Sequence, residues 1–249
     1  MAFLTPDSTK IINNVLVKEY LLTKHNPNKI ALPSKRQKAY LGPTLHNTDR
    51  IKAAAGTTCA EQYARATVNG NMNSVRSTFY VDDKEAWQLL PLDYQSWCSG
   101  HSGFPAAHGS DAGNSQSINI ECIMDGSGSA EDLKARDNAA RLIAWLLDNY
   151  GGQLYTHNYW ENIRIGRTGT VDELNKRNDG YKGCPIFIRP KWDDFKQLVN
   201  SYRKSVTNTS SNVLYKIQLG AFANKKNAEA YLATVKKTFP DAILVTTKK

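Results

Sequence analysis

The feature that most constrains the fold is a short alternating segment that precedes a long amphipathic one. In residues 117–123 the even-numbered side chains are apolar, whereas Asn119 and Glu121 alternate with them. This period of two predicts a strand whose apolar face is opposite the face that carries Glu121. Residues 132–150 have apolar side chains at helical spacing, which predicts a helix that packs on this strand.

Local signals bound that helix and predict its neighbours. Ser129, three residues before Asp132, indicates an N-cap, and the glycine pair at 151–152 indicates the end of the helix. Residues 59–68 favour a helix, and residues 78–81 and 86–90 flank a polar cluster typical of a hairpin turn. Strands interspersed with helices indicate an α/β or α+β domain with one main sheet, and they leave the strand order open.

Composition separates this domain from a short tail. The chain has 249 residues, 41% of them hydrophobic, with a mean hydropathy of −0.51. No apolar run approaches the roughly 20 residues of a membrane helix. The polar segment 203–212 predicts a linker between residues 1–202 and 213–249. The N-terminus lacks the pattern of a secretory signal, so we expect synthesis in the cytoplasm and a separate route of release.

The formal charge of +9 is concentrated at the two ends of the chain. Residues 1–40 and residues 213–249 each carry seven Lys/Arg and two acidic residues. Aromatic residues do not interleave with these lysines, so a nucleic acid is not the expected partner. A solvated surface and the binding of anionic cell-wall polymers both remain open. The scattered cysteines argue against a zinc finger or a disulfide framework.

Three potential metal ligands lie far apart in the sequence. His46, His157 and Cys184 offer two imidazoles and a thiolate, which suit a zinc ion and leave a fourth tetrahedral position for water. Spacing alone does not establish such a site, because ligands this distant leave no local signature.

The residues around these ligands resemble a known family, the type 2 N-acetylmuramoyl-L-alanine amidases, which include phage endolysins and bacterial autolysins. The resemblance extends from about Lys29 to Val199. It is carried, in order, by residues 45–48 (LHNT), 82–88 (DDKEAWQ), 113–122 (GNSQSINIEC), His157 and 182–185 (KGCP). Together these motifs are specific, whereas each alone is weak.

The resemblance implies a fold, a cofactor and roles for five residues. The implied fold is α/β, with a single central mixed sheet flanked by helices and a zinc site in a surface groove. One zinc ion is expected on His46, His157 and Cys184, with Glu121 as the catalytic acid/base and Lys182 as an electrophilic helper. The implied activity is cleavage of the amide between N-acetylmuramic acid and L-alanine in bacterial peptidoglycan, at the cell wall after release.

The tail, residues 213–249, resembles the first βαβ half of a SPOR domain, a module that binds peptidoglycan stripped of stem peptides. The pattern comprises a strand near 215–222, a helix that carries Ala228 and Tyr231, and a strand at 242–245. Three interpretations of this half-domain remain open. It targets the protein to the wall, it is completed by a second copy in a dimer, or it is an appendage that only stabilises the protein. The oligomeric state is likewise open.

Several features depart from the family pattern or admit two interpretations. Ser77 and Thr78 stand where many relatives have an aromatic residue and a histidine, and residues 161–180 predict a long polar lid or groove wall. His101 and His108 are interpreted as loop residues and not as ligands. Trp97 and Trp160 have two candidate roles, in substrate contact or in packing.

Two other functions fit the same scaffold. One is a peptidoglycan-binding module without catalysis, against which the presence of Cys184 argues. The other is a zinc peptidase that cuts within the stem peptide, because water activation would be identical and only the bond would differ.

Overall fold

The computed structural model describes residues 3–100, 111–177, 183–203 and 224–237. The chain divides into two compact units, residues 1–206 and 207–249. The strands described in the first unit are β1 (Ser8–Ile12), β2 (Val15–Glu19), β3 (Gly42–Thr48), β4 (Phe79–Val81), β5 (Ala86–Gln88), β6 (Ser117–Ile123) and β7 (Tyr155–Thr156). Its helices are α1 (Cys59–Val68), α2 (Ala112–Ser115), α3 (Ala130–Tyr150), α4 (His157–Arg164), α5 (Val171–Lys176) and α6 (Trp192–Tyr202), with a 3-10 turn at Arg189–Lys191.

Within the described residues the strands form one mixed sheet, in the order β1-β2-β5-β4-β6-β3-β7. Strands β4, β6, β3 and β7 run parallel to one another, and β2 is parallel to β5, whereas β1–β2 and β4–β5 are antiparallel pairs. The predicted hairpin is therefore present as β4–β5, with its turn closed by the Asp82 N–H, which donates to Glu85 O at 3.0 Å. The sheet with helices on both faces confirms the predicted fold class.

One face of the sheet packs against α3 and α6. The even-numbered side chains of β6 join this core, as the alternation predicted, and α3 contributes Leu142, Ile143 and Leu146 at full burial. The α3 helix begins two residues earlier than predicted because the Ser129 side chain accepts from the Asp132 N–H. It ends where Gly151 takes a φ of 72°, a conformation that glycine adopts without strain. Each such buried side chain contributes about 1.5 to 3 kcal/mol by leaving water.

The opposite face of the sheet packs against α1. Tyr80, Trp87 and Ile123 form its core with Ala60 and Ala64 of the helix. The N-cap of α1 is Thr58, whose side chain accepts from the Glu61 N–H. The α1 helix contacts β4 and β5.

The second unit is described at residues 224–237 only. There the N-cap of α7 (Lys225–Val235) is Asn224, whose side chain accepts from the Lys226 N–H, and Ala228 is buried. The two strands expected near 215–222 and 242–245 lie outside the described residues. None of the helices in the described ranges is both long and apolar enough to cross a bilayer.

Candidate metal centre

His46 lies on β3, in the interior of the sheet, and faces away from the α3 side. Its neighbour Leu45 is in the apolar core, so the alternation of the strand places His46 on the opposite face. Parallel pairing sets His46 directly beside Glu121 of β6. His46 Nδ1 lies 3.9 Å from Glu121 Oε1, and the two residues are 2% and 8% exposed. The sheet register therefore places a candidate ligand next to the candidate acid/base.

The other nitrogen of His46 is held by Asn119. His46 Nε2 lies 2.7 Å from Asn119 Oδ1 and 3.2 Å from Ser99 Oγ. The orientation of the Asn119 amide is fixed because its Nδ2 donates to the Gly113 carbonyl at 2.9 Å, so Oδ1 is the atom that faces the ring. An amide oxygen only accepts, and His46 Nε2 therefore carries the proton. This leaves the lone pair on Nδ1, the nitrogen that faces Glu121.

His157 reaches the same place as the first residue of α4. The N-cap of α4 is Thr156, whose side chain accepts from the Tyr159 N–H at 2.9 Å. Thr156 is also the last residue of β7, which pairs in parallel with β3. The His46 and His157 ring centroids are 4.7 Å apart. Glu161, one helical turn later, places Oε1 at 3.5 Å from His157 Nε2 and is paired with Arg164 at 2.5 Å. A carboxylate behind a ligand imidazole orients the ring and raises its basicity.

Cys184 joins the two histidines from the segment that precedes α6. The Asn47 N–H donates to Cys184 Sγ at 3.4 Å, and the Asn158 N–H donates to the Cys184 carbonyl at 2.8 Å. The Asn47 side chain adds a second link, because its Oδ1 accepts from the Phe187 N–H at 3.0 Å. Cys184 is therefore tied to both β3 and α4. Its Sγ lies 3.9 Å from His46 Nδ1.

The three donor atoms suit a single soft divalent ion. One ligand atom each from His46, His157 and Cys184 lies within 4.8 Å of the others. Nitrogen and sulfur ligands on a tetrahedral zinc ion, at bond lengths of about 2.0 and 2.3 Å, lie roughly 3.5 Å apart. The separation of 3.9 Å between Cys184 Sγ and His46 Nδ1 is close to this value. We call His46, His157 and Cys184 the ligand triad.

Glu121 lies beside the ligand triad among phenol side chains. Tyr80 of β4 pairs with it across the sheet, and Tyr63 stacks on Tyr80 with ring centroids 5.6 Å apart. Burial raises the pKa of Tyr80 far above its ordinary value of 10.0, with the nearby Glu121 charge as the second cause. Burial is also the main cause that raises the pKa of Tyr63. Both phenols are therefore neutral at ordinary pH.

Other sequence predictions have different outcomes. Lys182, His101 and His108 lie outside the described residues. Trp160 has a packing role, because it is 3% exposed and its Nε1 donates to Thr44 Oγ1 at 2.8 Å. Residues 161–177, which belong to the segment predicted as a lid or groove wall, form the end of α4 and all of α5. The role of this segment as a lid or groove wall stays a prediction.

The departure at Ser77 and Thr78 has a structural counterpart. Both residues are buried before β4, and Ser77 Oγ donates to the Asn119 carbonyl at 3.1 Å. Ser77 therefore forms a side-chain hydrogen bond to the backbone of β6, the strand that carries Asn119 and Glu121.

Sequence reasoning did not identify four residues near the site. Asn119 lies inside a quoted motif, and the spacing of four between His157 and Glu161 on a helix is a signal that could have been used. Cys98 and Ser99 give no comparable signal. The structure nevertheless places a Cys98 ligand atom within 4.8 Å of those of His46 and Glu121.

Comparison with known proteins gives two family matches. The family model described as N-acetylmuramoyl-L-alanine amidase matches residues 37–175, which is more than half of the chain. The SPOR domain model matches residues 196–249 and so begins within α6. The first match includes His46, Glu121 and His157, whereas Cys184 follows its last residue.

The curated relatives and solved structures agree with the first match. N-acetylmuramoyl-L-alanine amidase XlyA of Bacillus subtilis (strain 168) is 28% identical over 157 residues, 61% of this chain and 42% of XlyA. The amidase CwlA of a Bacillus species is 38% identical over 144 residues, 55% of this chain and 48% of CwlA. The chain thus spans less than half the length of either relative. The solution structure of the PlyG catalytic domain superposes with a TM-score of 0.50 and 25% identity, over 78% of this chain and 98% of that domain.

Proposed function

Because the chain belongs to the N-acetylmuramoyl-L-alanine amidase family, we propose that it hydrolyses the amide between N-acetylmuramic acid and L-alanine in bacterial peptidoglycan, with zinc as its cofactor. The biological role would be that of a phage-type endolysin or an autolysin. The observation that carries the proposal is the convergence of two imidazoles and a thiol beside one buried carboxyl group. His46, His157 and Cys184 hold the ion in this proposal.

The residues around the ion divide the chemistry between them. Zinc supplies a Lewis acid that lowers the pKa of a bound water to about 7. Glu121 takes the proton of the attacking water and returns it to the leaving amine. Asn119 accepts from His46 Nε2, and the Glu161 carboxylate lies 3.5 Å from His157 Nε2, so these two side chains would orient the two imidazoles. The role of Lys182, stabilisation of negative charge on the carbonyl oxygen, is proposed from the family pattern alone.

The chain would divide into a catalytic domain and a tail that binds the cell wall. Residues 1–202 would form the catalytic domain, and residues 203–212 would form a linker to the tail. The SPOR match and the basic residues of the tail support binding to peptidoglycan, with anionic wall polymers as further partners. The enzyme would act at the wall after its release from the cell.

Removal and return of the metal tests the catalytic assignment. Purified protein is treated with a chelator, dialysed, and assayed for clearing of isolated walls before and after zinc is added back. We expect clearing to be lost and then recovered, with about one zinc per chain in the active form. Clearing that is indifferent to the chelator contradicts zinc catalysis. Protein that binds walls without clearing them in either state is a binding module.

Mass analysis of the digested wall tests the bond assignment. The amidase reaction releases peptides with a free N-terminal L-alanine and leaves intact glycan strands. Cut cross-bridges or shortened stems, without free N-terminal L-alanine, identify a peptidase and contradict the proposed bond.

A further inference from the structure

A second group of potential ligands shares His46 with the ligand triad. His46, Cys98 and Glu121 each offer one ligand atom, and these atoms lie within 4.8 Å of one another. We infer that these three residues form an alternative, non-productive position for a soft divalent ion. The inference rests on the proposed function, because it takes Glu121 as the catalytic acid/base. It adds Cys98 as a potential metal ligand. We call His46, Cys98 and Glu121 the alternative set.

The backbone around Cys98 is held firmly. Asn114 Oδ1 accepts from the N–H groups of both Cys98 and Ser99, at 3.0 and 2.8 Å. Just before it, Trp97 exchanges two backbone hydrogen bonds with Arg76, at 2.9 and 3.0 Å. The position of the Cys98 thiol beside His46 therefore follows from anchored backbone on both sides of the residue.

The donor chemistry of the alternative set suits the same ions as the ligand triad. An imidazole, a thiolate and a carboxylate are all established zinc ligands, and thiolates favour soft ions. The two sets have equal numbers of ligands and one thiolate each. In the alternative set the thiolate comes from Cys98 and not from Cys184, and the carboxylate of Glu121 replaces the imidazole of His157.

The two positions exclude each other. His46 Nδ1 lies 3.9 Å from Cys184 Sγ and 3.9 Å from Glu121 Oε1, so the same nitrogen faces both sets. The other ring nitrogen is engaged by Asn119. One nitrogen lone pair binds one ion, and an ion in the alternative set denies His46 to the ligand triad. It also occupies the carboxylate of Glu121, which then cannot accept a proton from water.

Cobalt substitution separates the two positions, because a thiolate bound to Co²⁺ gives an intense charge-transfer band that nitrogen and oxygen ligands lack. Apo protein is titrated with Co²⁺ in four forms: wild type, Cys184→Ser, Cys184→Ser with Cys98→Ser, and Cys184→Ser with Cys59→Ser. Cys59 is the matched control, since its thiol donates to the Ile51 carbonyl at 3.0 Å and lies in the α1 core. We expect the band in wild type, in Cys184→Ser and in the Cys59 control, and its loss in the double variant that lacks Cys98.

The outcomes distinguish this inference from the proposed function. A band in wild type but none in folded Cys184→Ser overturns the alternative set and leaves the ligand triad intact. A band that persists when both Cys184 and Cys98 are replaced also overturns it. A wild type without any band overturns the proposed function and this inference with it. Folding of each variant is checked by circular dichroism, and Cys184→Ala replaces the serine variant if the latter is unfolded.

Discussion

His46 donates from Nε2 to Asn119 Oδ1 across 2.7 Å, and this one contact decides which ring nitrogen faces the other ligands. Asn119 can play this part because the Gly113 carbonyl fixes its amide. Without the contact, the imidazole could rotate or change tautomer, and the lone pair on Nδ1 would no longer be fixed toward Cys184.

Asn119→Ala should therefore weaken zinc binding. Loss of a partner behind a ligand histidine costs about 10- to 100-fold in metal affinity. The measurement is competition with a chromophoric chelator. Asn149→Ala is the control, because that side chain is exposed on α3 and donates only to the Trp145 carbonyl. An affinity within about threefold of wild type for Asn119→Ala would contradict the positioning role.

Glu121→Gln should separate catalysis from metal binding. The amide keeps the size of the side chain but cannot accept and return a proton, so we expect turnover to fall by about 100-fold or more. Zinc content should stay at the wild-type value, because the ligand triad does not include Glu121. Turnover and zinc content are measured on the same preparations, with Glu131→Gln at the exposed start of α3 as the control. A rate above about a tenth of wild type would tell against the acid/base role.

Asn47→Ala should loosen the segment that carries Cys184. The change removes the acceptor for the Phe187 N–H and the donor to the Cys122 carbonyl. Loss of these two hydrogen bonds should lower the free energy of unfolding by about 1 to 3 kcal/mol. Zinc affinity should fall as well, by about 10-fold.

Asn47→Asp is the comparison variant, because it keeps an oxygen that accepts from the Phe187 N–H, although it replaces the donor to the Cys122 carbonyl with a negatively charged oxygen. Urea unfolding and chelator competition measure the two effects. If the alanine and aspartate variants bind zinc as tightly as wild type, the Asn47 side chain does not position Cys184.

Asp125 should contribute to stability in mild acid. The Ser127 hydroxyl and N–H, together with Arg50, hold the pKa of Asp125 at about 2, below its ordinary value of 3.8. A carboxyl group whose pKa is lowered by folding stabilises the fold above its unfolded pKa and loses that contribution as the pH falls toward 2. In Asp125→Asn the midpoint of urea unfolding should therefore change less between pH 5 and about pH 2 than in wild type. Equal changes in the two proteins would show that Asp125 is not linked to folding.

The sequence predicted the elements that depend on neighbouring residues. The apolar period of α3, its Ser129 cap and its end at Gly151 are all encoded within a few residues of where they act, and the structure confirms them. The two faces of β6 were predictable for the same reason, because side chains alternate along any strand. The burial of Trp160 and Glu161 depends instead on contacts with elements distant in the sequence, so the sequence left the role of Trp160 open between packing and substrate contact.

By itself, the sequence predicted the helices α1 and α3, the β4–β5 hairpin and the two faces of β6, and through family motifs it proposed three metal ligands. Only the tertiary structure decided which atoms meet. Cys184 lies 138 residues from His46, and parallel register alone sets His46 beside Glu121. The closeness of Cys98 to both, and the contact of Asn119 with the ring, likewise arise from strand pairing and loop anchoring. Local patterns encode the conformation of a segment, whereas the approach of distant side chains depends on how the whole sheet assembles.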